Sequence, residues 1–193
     1  WRVTQEDRWL ARHYRPVERA FERTLAATDQ PLAPWHVVDG TDSQHRALEV
    51  GRQLLASIQH ADDKIPRPRN APRGALANAA TRARFKAKPA GDAPSDEEYD
   101  AELERLQGRL ALLSRRTRFA RHAVVAAFEG MDAAGKGGAL RRVTAALDAR
   151  QFRVVPISAP TPEELARPYL WRFWFQLPPR GHYTLFDRSW YGR

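Results

Sequence analysis

The stretch Phe128-Glu129-Gly130-Met131-Asp132-Ala133-Ala134-Gly135-Lys136-Gly137-Gly138 constrains the fold of this 193-residue chain more than any other. An apolar run, Ala123 to Phe128, precedes it and reads as a buried parallel strand, while Ala139 to Leu147 follows and reads as a helix. Strand, glycine-rich turn and helix form the unit in which backbone N–H groups and a helix N-terminus face an anion. Gly130 and Gly135 let the backbone close around phosphate oxygens, and Lys136 adds a full positive charge. The spacing is that of a Walker A loop, G-x-x-x-x-G-K, except that Gly137 stands where Ser or Thr would offer a hydroxyl to magnesium. An acid, Asp132, lies inside the loop instead. A carboxylate among bound phosphates is repelled unless a divalent cation lies between them, so Asp132 reads as holding or orienting Mg²⁺ in place of the hydroxyl. The expected phosphate cradle is Gly130, Ala133, Ala134, Gly135, Lys136, Gly137 and Gly138. The plainer alternative is a structural turn, and a full loop of this spacing between strand and helix argues against it.

A second motif follows further along, Tyr183-Thr184-Leu185-Phe186-Asp187-Arg188-Ser189-Trp190-Tyr191-Gly192-Arg193. A short apolar strand ending in Asp is the Walker B arrangement, which sets a carboxylate beside the glycine loop to hold Mg²⁺ directly or through water. Arg188 is placed to neutralise charge on a transferring phosphoryl group; Arg193 can act likewise or be a solvated end. The two motifs together predict an α/β fold in which residues 123–129, 153–157 and 183–187 are parallel strands flanked by helices. The glycine-loop strand and the Walker B strand are expected side by side, with strand ends converging on one crevice.

GMDAAGKGG followed by FDRSWYGR resembles the type-2 polyphosphate kinases, the polyphosphate kinase 2 family. The segment between is similar too, with Ala159-Pro160-Thr161-Pro162-Glu163-Glu164, Tyr169-Leu170-Trp171-Arg172-Phe173-Trp174 and Leu177-Pro178. This resemblance covers roughly residues 96–193. It implies a P-loop NTPase-like three-layer sandwich with a parallel sheet, incomplete because the sequence stops soon after Walker B. It also implies phosphoryl transfer between inorganic polyphosphate and a nucleotide, with Mg²⁺ as cofactor. Lys136 and Arg188 would contact phosphates, Asp132 and Asp187 would serve magnesium and catalysis, and Arg141 or Arg142 would follow the polyphosphate chain. AMP is the expected acceptor and ADP the other candidate. The lid helices and a fourth strand of the family sheet would lie beyond Arg193, so residues 1–193 alone are expected to be inert.

The upstream half bears on domain organisation. Thr4-Gln5-Glu6-Asp7 reads as a helix start, after which Trp9, Leu10, Tyr14, Val17, Phe21 and Leu25 recur at helical spacing. Residues 28–34 read as a turn region, Trp35-His36-Val37-Val38 as a short strand, and Thr41-Asp42-Ser43 as the cap of a helix carrying Leu48, Leu54, Leu55 and Ile58. Residues 62–94 are rich in Pro, Ala and Arg and read as an extended linker. Ser95-Asp96-Glu97-Glu98 is a capping box opening a long helix with Tyr99, Leu103, Leu106, Leu110 and Leu113 on one face. WRVTQED and the APWHVV strand resemble the final helix and last strand of the same family. Residues 1–61 then read as the end of one copy and 95–193 as the first half of a second. That is the tandem plan of polyphosphate:AMP phosphotransferases, of which this chain would be an internal piece; a single unusual domain with a helical extension is the alternative.

Composition narrows the partners. The formal net charge is +9 and the pI near 10.6, which favours anionic partners: nucleic acid, an acidic membrane surface or polyphosphate. No zinc-finger, homeodomain or RNA-recognition signature accompanies that charge, so no specific nucleic-acid partner is expected. No apolar run approaches the ~20 residues of a membrane span, and with no cysteines the chain can form neither disulfides nor thiolate metal sites. A cytoplasmic enzyme fits, and the intact parent is a candidate homo-oligomer. The six histidines show no metal-ligand spacing and read as surface or structural. Tyr169, Trp171, Phe173 and Trp174 read as core packing in preference to base stacking. The linker's lysines and arginines read as a solvated, charge-extended stretch or as a surface attracting polyphosphate or nucleic acid. An ATP-dependent P-loop kinase and a non-catalytic polyanion-binding module are the competing functions.

Overall fold

The computed structural model describes residues 5–30, 33–60, 94–131 and 134–192. Asp132, Ala133 and Arg193, the linker up to residue 93 and the first four residues lie outside them. Two compact units are present: residues 5–37 fall in one, and residues 38–60 with 94–192 form the other. In the first, α1 (Gln5–Arg12) and α2 (Tyr14–Thr28) follow the predicted spacing, yet α2 buries none of its residues.

The expected strand at Trp35–Val38 does not form; only an isolated bridge between Gln30 and Ala33 appears there. The local bonding gives the reason. The Trp35 backbone N–H, which a sheet ladder would need, donates to the Asp29 carboxylate at 2.9 Å. The Trp35 indole N–H donates to the Thr28 hydroxyl at 2.8 Å. A side chain taking the ladder donor turns an extended, β-favouring sequence into an anchored loop.

In the second unit, α3 (Ser43–His60) starts as predicted, with the Asp42 carboxylate accepting from the His45 backbone N–H at 2.6 Å. Helix α4 (Asp96–Ser114) opens on the expected capping box: Ser95 accepts from the Glu98 N–H, and Glu98 reaches back to the Ser95 N–H. The two helices pack tightly, since a Cβ on Gly51 would already touch Leu106 at 3.4 Å. Arg52 of α3 bonds Glu102 of α4 at 3.1 Å. With Arg105 hydrogen-bonded to it and Arg52 beside it, the Glu102 carboxyl is pulled down to about 2.

Strands β1 (Val124–Phe128), β2 (Phe152–Pro156) and β3 (Tyr183–Asp187) form a parallel sheet in the order β1-β3-β2. As expected, the glycine-loop strand pairs with the Walker B strand. β1 is nonetheless an edge of this sheet, with Val125 41% exposed, and the most buried strand is β3, buried from Tyr183 to Phe186. Alternation along β3 fixes the layers. Tyr183 and Leu185 face a core shared with Leu48, Leu55, Leu106, Leu110, Leu140 and Val143, contributed by α3, α4 and α5 (Lys136–Thr144). Thr184 and Phe186 face the other side. There Phe186 meets Phe173 and Trp190 edge-on, and the Thr184 hydroxyl donates to the Gln176 carbonyl at 2.8 Å. This second layer is the segment carrying α6 (Pro162–Leu165) and α7 (Trp171–Trp174). Of its aromatic group only Phe173 is core, at 2% exposed, whereas Tyr169 (49%) and Trp174 (60%) are open. A helix of four residues has one inward face, so helical spacing could not bury all four rings.

Candidate active site

The strand register sets the site. Phe128 of β1 and Pro156 of β2 both lie level with Asp187 at the end of β3. Backbone bonds extend the alignment one residue further, from the Arg188 N–H to the Phe128 carbonyl at 3.0 Å and from the Ile157 N–H to the Asp187 carbonyl at 2.9 Å. A cavity of about 300 Å³ opens here, lined by Gly135, Lys136, Gly137, Pro156, Ile157, Asp187 and Arg188. It is the crevice at the carboxyl ends of the strands that open α/β sheets use for ligands.

On the glycine-loop side, Gly135 caps α5 with φ 79°, a left-handed conformation that costs a side-chain-bearing residue about 1 kcal/mol. The loop then delivers the free N–H groups of the first turn of α5, the partial positive charge suited to phosphate. Lys136 folds across the loop, its Nζ donating to the carbonyls of Gly130 and Met131 at 3.0 Å each. A Cβ at Gly137 would meet nothing within 4 Å, so the absence of Ser or Thr there is not imposed by crowding.

On the Walker B side, Asp187 is half-buried and Arg188 is exposed. Arg188 has φ 64°, a left-handed backbone that costs a non-glycine residue about 1–3 kcal/mol. The loop that holds this strain is braced from two directions. Fully buried Ser189 donates to the Glu129 carboxylate at 2.6 Å, tying the β3 loop to the start of the glycine loop. The Tyr169 hydroxyl donates to the Trp190 carbonyl at 2.7 Å, and the Trp190 ring packs on Phe173 and Phe186.

The two candidate arginines of α5 separate cleanly. Arg142 is held by the Tyr99 hydroxyl and the Gly138 carbonyl and stacks over the Tyr99 ring, so it joins α5 to α4. Arg141 is exposed. Glu129, Ser189, Tyr169 and Trp190 were missing from the sequence-based set, although Glu129 and Ser189 sit inside the two motifs. Their role comes from a contact across 60 positions that neither motif reveals alone. Among the described residues no group of three or more His, Asp or Glu side chains gathers as a self-sufficient metal site. One half-buried carboxylate beside a phosphate cradle is still an apt donor set for Mg²⁺, which keeps waters and takes its remaining oxygens from phosphates.

Comparison with known proteins agrees with this geometry. Residues 93–193 match the family Polyphosphate kinase 2 (PPK2). The chain is 48% identical over 195 residues to a polyphosphate:AMP phosphotransferase of Pseudomonas syringae pv. tomato, covering 100% of this chain and 39% of that protein. It is 46% identical to the polyphosphate:AMP phosphotransferase of Pseudomonas aeruginosa, with the same coverage. A solved polyphosphate kinase 2 structure from Pseudomonas aeruginosa PA01 superposes with a TM-score of 0.54 at 44% identity, over 99% of this chain and 39% of that one. The chain thus spans about two fifths of the length of these relatives. With the family match covering more than half of its residues and the glycine loop, Walker B strand and sheet order all in place, the chain belongs to the polyphosphate kinase 2 family.

Proposed function

We propose that the full-length protein transfers a phosphoryl group between inorganic polyphosphate and a nucleotide, with AMP as acceptor and ADP as product. The observation that carries this reading is the convergence of Lys136, Asp187 and Arg188 on one cavity at the level ends of β1, β2 and β3. In such transfer the protein's task is alignment and charge neutralisation more than covalent chemistry. Lys136 and the first-turn amides of α5 bind phosphate, and Lys136 leaves the Gly130 and Met131 carbonyls to do so. Arg188 balances charge on the moving group. Asp187, joined by Asp132, would hold Mg²⁺, which supplies charge neutralisation between phosphate oxygens. Arg141 is the better placed of the α5 pair to follow an extended polyanion, because Arg142 is engaged with Tyr99.

The names of the full-span relatives support AMP as acceptor. The tandem organisation, with residues 1–61 ending one copy, 62–94 linking and 95–193 opening a second, is part of the same proposal. It fits a family match limited to residues 93–193 inside a relative that aligns throughout. A cytoplasmic setting and assembly of the intact parent into a homo-oligomer are proposed with it.

The test supplies full-length protein with AMP, Mg²⁺ and either long-chain polyphosphate or ATP, and follows ADP. Formation of ADP with polyphosphate and its loss in Lys136→Ala support the reading. Activity with ATP alone would replace it with a nucleotide-dependent kinase, and phosphate binding without turnover would leave a polyanion-binding module.

A further inference from the structure

Arg46, on the first turn of α3, lies against the glycine loop although nearly ninety residues of sequence separate the two. A Cβ built on Gly135 would fall 2.0 Å from the Arg46 Cζ, 2.2 Å from its Nη2 and 2.3 Å from its Nε. Three guanidinium atoms at nearly equal distance mean that the planar group is laid flat over the Gly135 Cα. Gly135 is therefore required twice, for its φ and for the space the guanidinium fills.

The approach is built into the fold. Ala47, Leu48, Leu55 and Ile58 of α3 are buried in the same core as Leu140 and Leu185, so the helix is fixed relative to the loop. Gln44 of α3 donates to Asp96 of α4 at 2.7 Å, and a Cβ on Gly40 would meet the Ala134 carbonyl at 3.2 Å. Arg46 Nη1 donates to the Gly40 carbonyl at 2.5 Å, which orients the guanidinium.

Among the described residues Arg46 forms no ion pair, and its Nε is buried without a hydrogen-bond partner. Leaving a donor buried and unmade is unfavourable, and a half-buried positive charge with no ion pair among the described residues raises the potential of the nearest cavity. That cavity begins at Gly135 and Lys136. We infer that Arg46 is a phosphate-binding residue of this site, its guanidinium adding to Lys136 and the α5 N-terminus in holding a condensed phosphate chain at the glycine loop. The inference rests on the proposed phosphate site and extends it to a residue upstream of residues 61–93.

The experiment measures tripolyphosphate binding to the full-length protein by calorimetry across a salt series, for the wild type, Arg46→Lys, Arg46→Met and Lys136→Ala. Circular dichroism and thermal melting confirm that each variant folds, and both Arg46 variants keep an aliphatic stem for packing. The expected result for Arg46→Met is affinity lowered by about tenfold and a slope of log K against log salt smaller by roughly one. Arg46→Lys should recover most of both. Wild-type affinity in Arg46→Met, or equal losses in the Lys and Met variants, would overturn the role for charge while leaving the phosphate site intact, provided that Lys136→Ala still abolishes binding. Failure of the wild type to bind at all would overturn the phosphate site itself, and Arg46's role with it.

Discussion

The two loops that meet at the cavity are held in opposite ways. The loop after β3 is braced by groups that do not touch the cavity: buried Ser189 on Glu129, Tyr169 on the Trp190 carbonyl, and an aromatic cluster beneath. The glycine loop is braced by Lys136, which also lines the cavity. On one side support and chemistry are separate side chains, so Asp187 and Arg188 are positioned before any ligand arrives. On the other they are the same side chain, Lys136, so under the proposed function phosphate binding exchanges its bonds to the Gly130 and Met131 carbonyls for bonds to the ligand. Preorganisation is strongest where support is independent of ligand.

This contrast can be broken from either side. The largest effect is expected for Lys136→Ala, which removes brace and ligand together. Tripolyphosphate affinity measured by calorimetry should fall by about 100-fold or more, in line with the loss of a single charge-stabilising donor. Asp187→Asn should lower Mg²⁺-dependent ADP formation by the full-length protein by about 100-fold while leaving metal-free phosphate binding within a few-fold of wild type. Equal losses of binding in the two variants would erase the distinction between the loops. Ser189→Ala takes the buried donor from Glu129 and should cost about 2 kcal/mol in urea denaturation, a typical value for a bond to a charged group. Its phosphate affinity should change only a few-fold, because the tie reaches the glycine loop at Glu129, outside the groups that line the cavity. Tyr169→Phe, at an exposed hydroxyl, should cost only about 0.5–1 kcal/mol, and a larger loss would show that the Trp190 carbonyl is the principal brace.

Much of this was legible in the sequence, for identifiable reasons. The capping box at Ser95 and the apolar strands depend on near neighbours, and the structure realises each of them. The APWHVV segment misled because its β-forming residues say nothing about Asp29, whose carboxylate takes the Trp35 N–H. The choice between Arg141 and Arg142 was open in sequence because it turns on Tyr99, 43 positions away. Arg46 and the Glu129–Ser189 pair were invisible for the same reason: each gains its meaning from a partner that only the folded chain supplies. Of the predicted site, Asp132, Ala133 and Arg193 lie outside the described residues.

The strand order has a consequence for how the molecule is made. β1 and β2 come first along the chain, yet among the described residues neither pairs with the other; each bonds only to β3, the last of the three. During synthesis β1 and β2 leave the ribosome before β3, so this three-stranded sheet cannot form until the segment ending at Asp187 has emerged. Pairing β1 to β3 closes a loop of about sixty residues, a non-local step that slows folding and leaves apolar edges exposed to aggregation meanwhile. When β3 inserts it adds Tyr183 and Leu185 to the core and brings Asp187 to the cavity that Lys136 lines in one event. A nascent chain stalled before that point should be readily cleaved by protease and a favoured chaperone client, whereas one released beyond it should gain protease resistance and phosphate binding together.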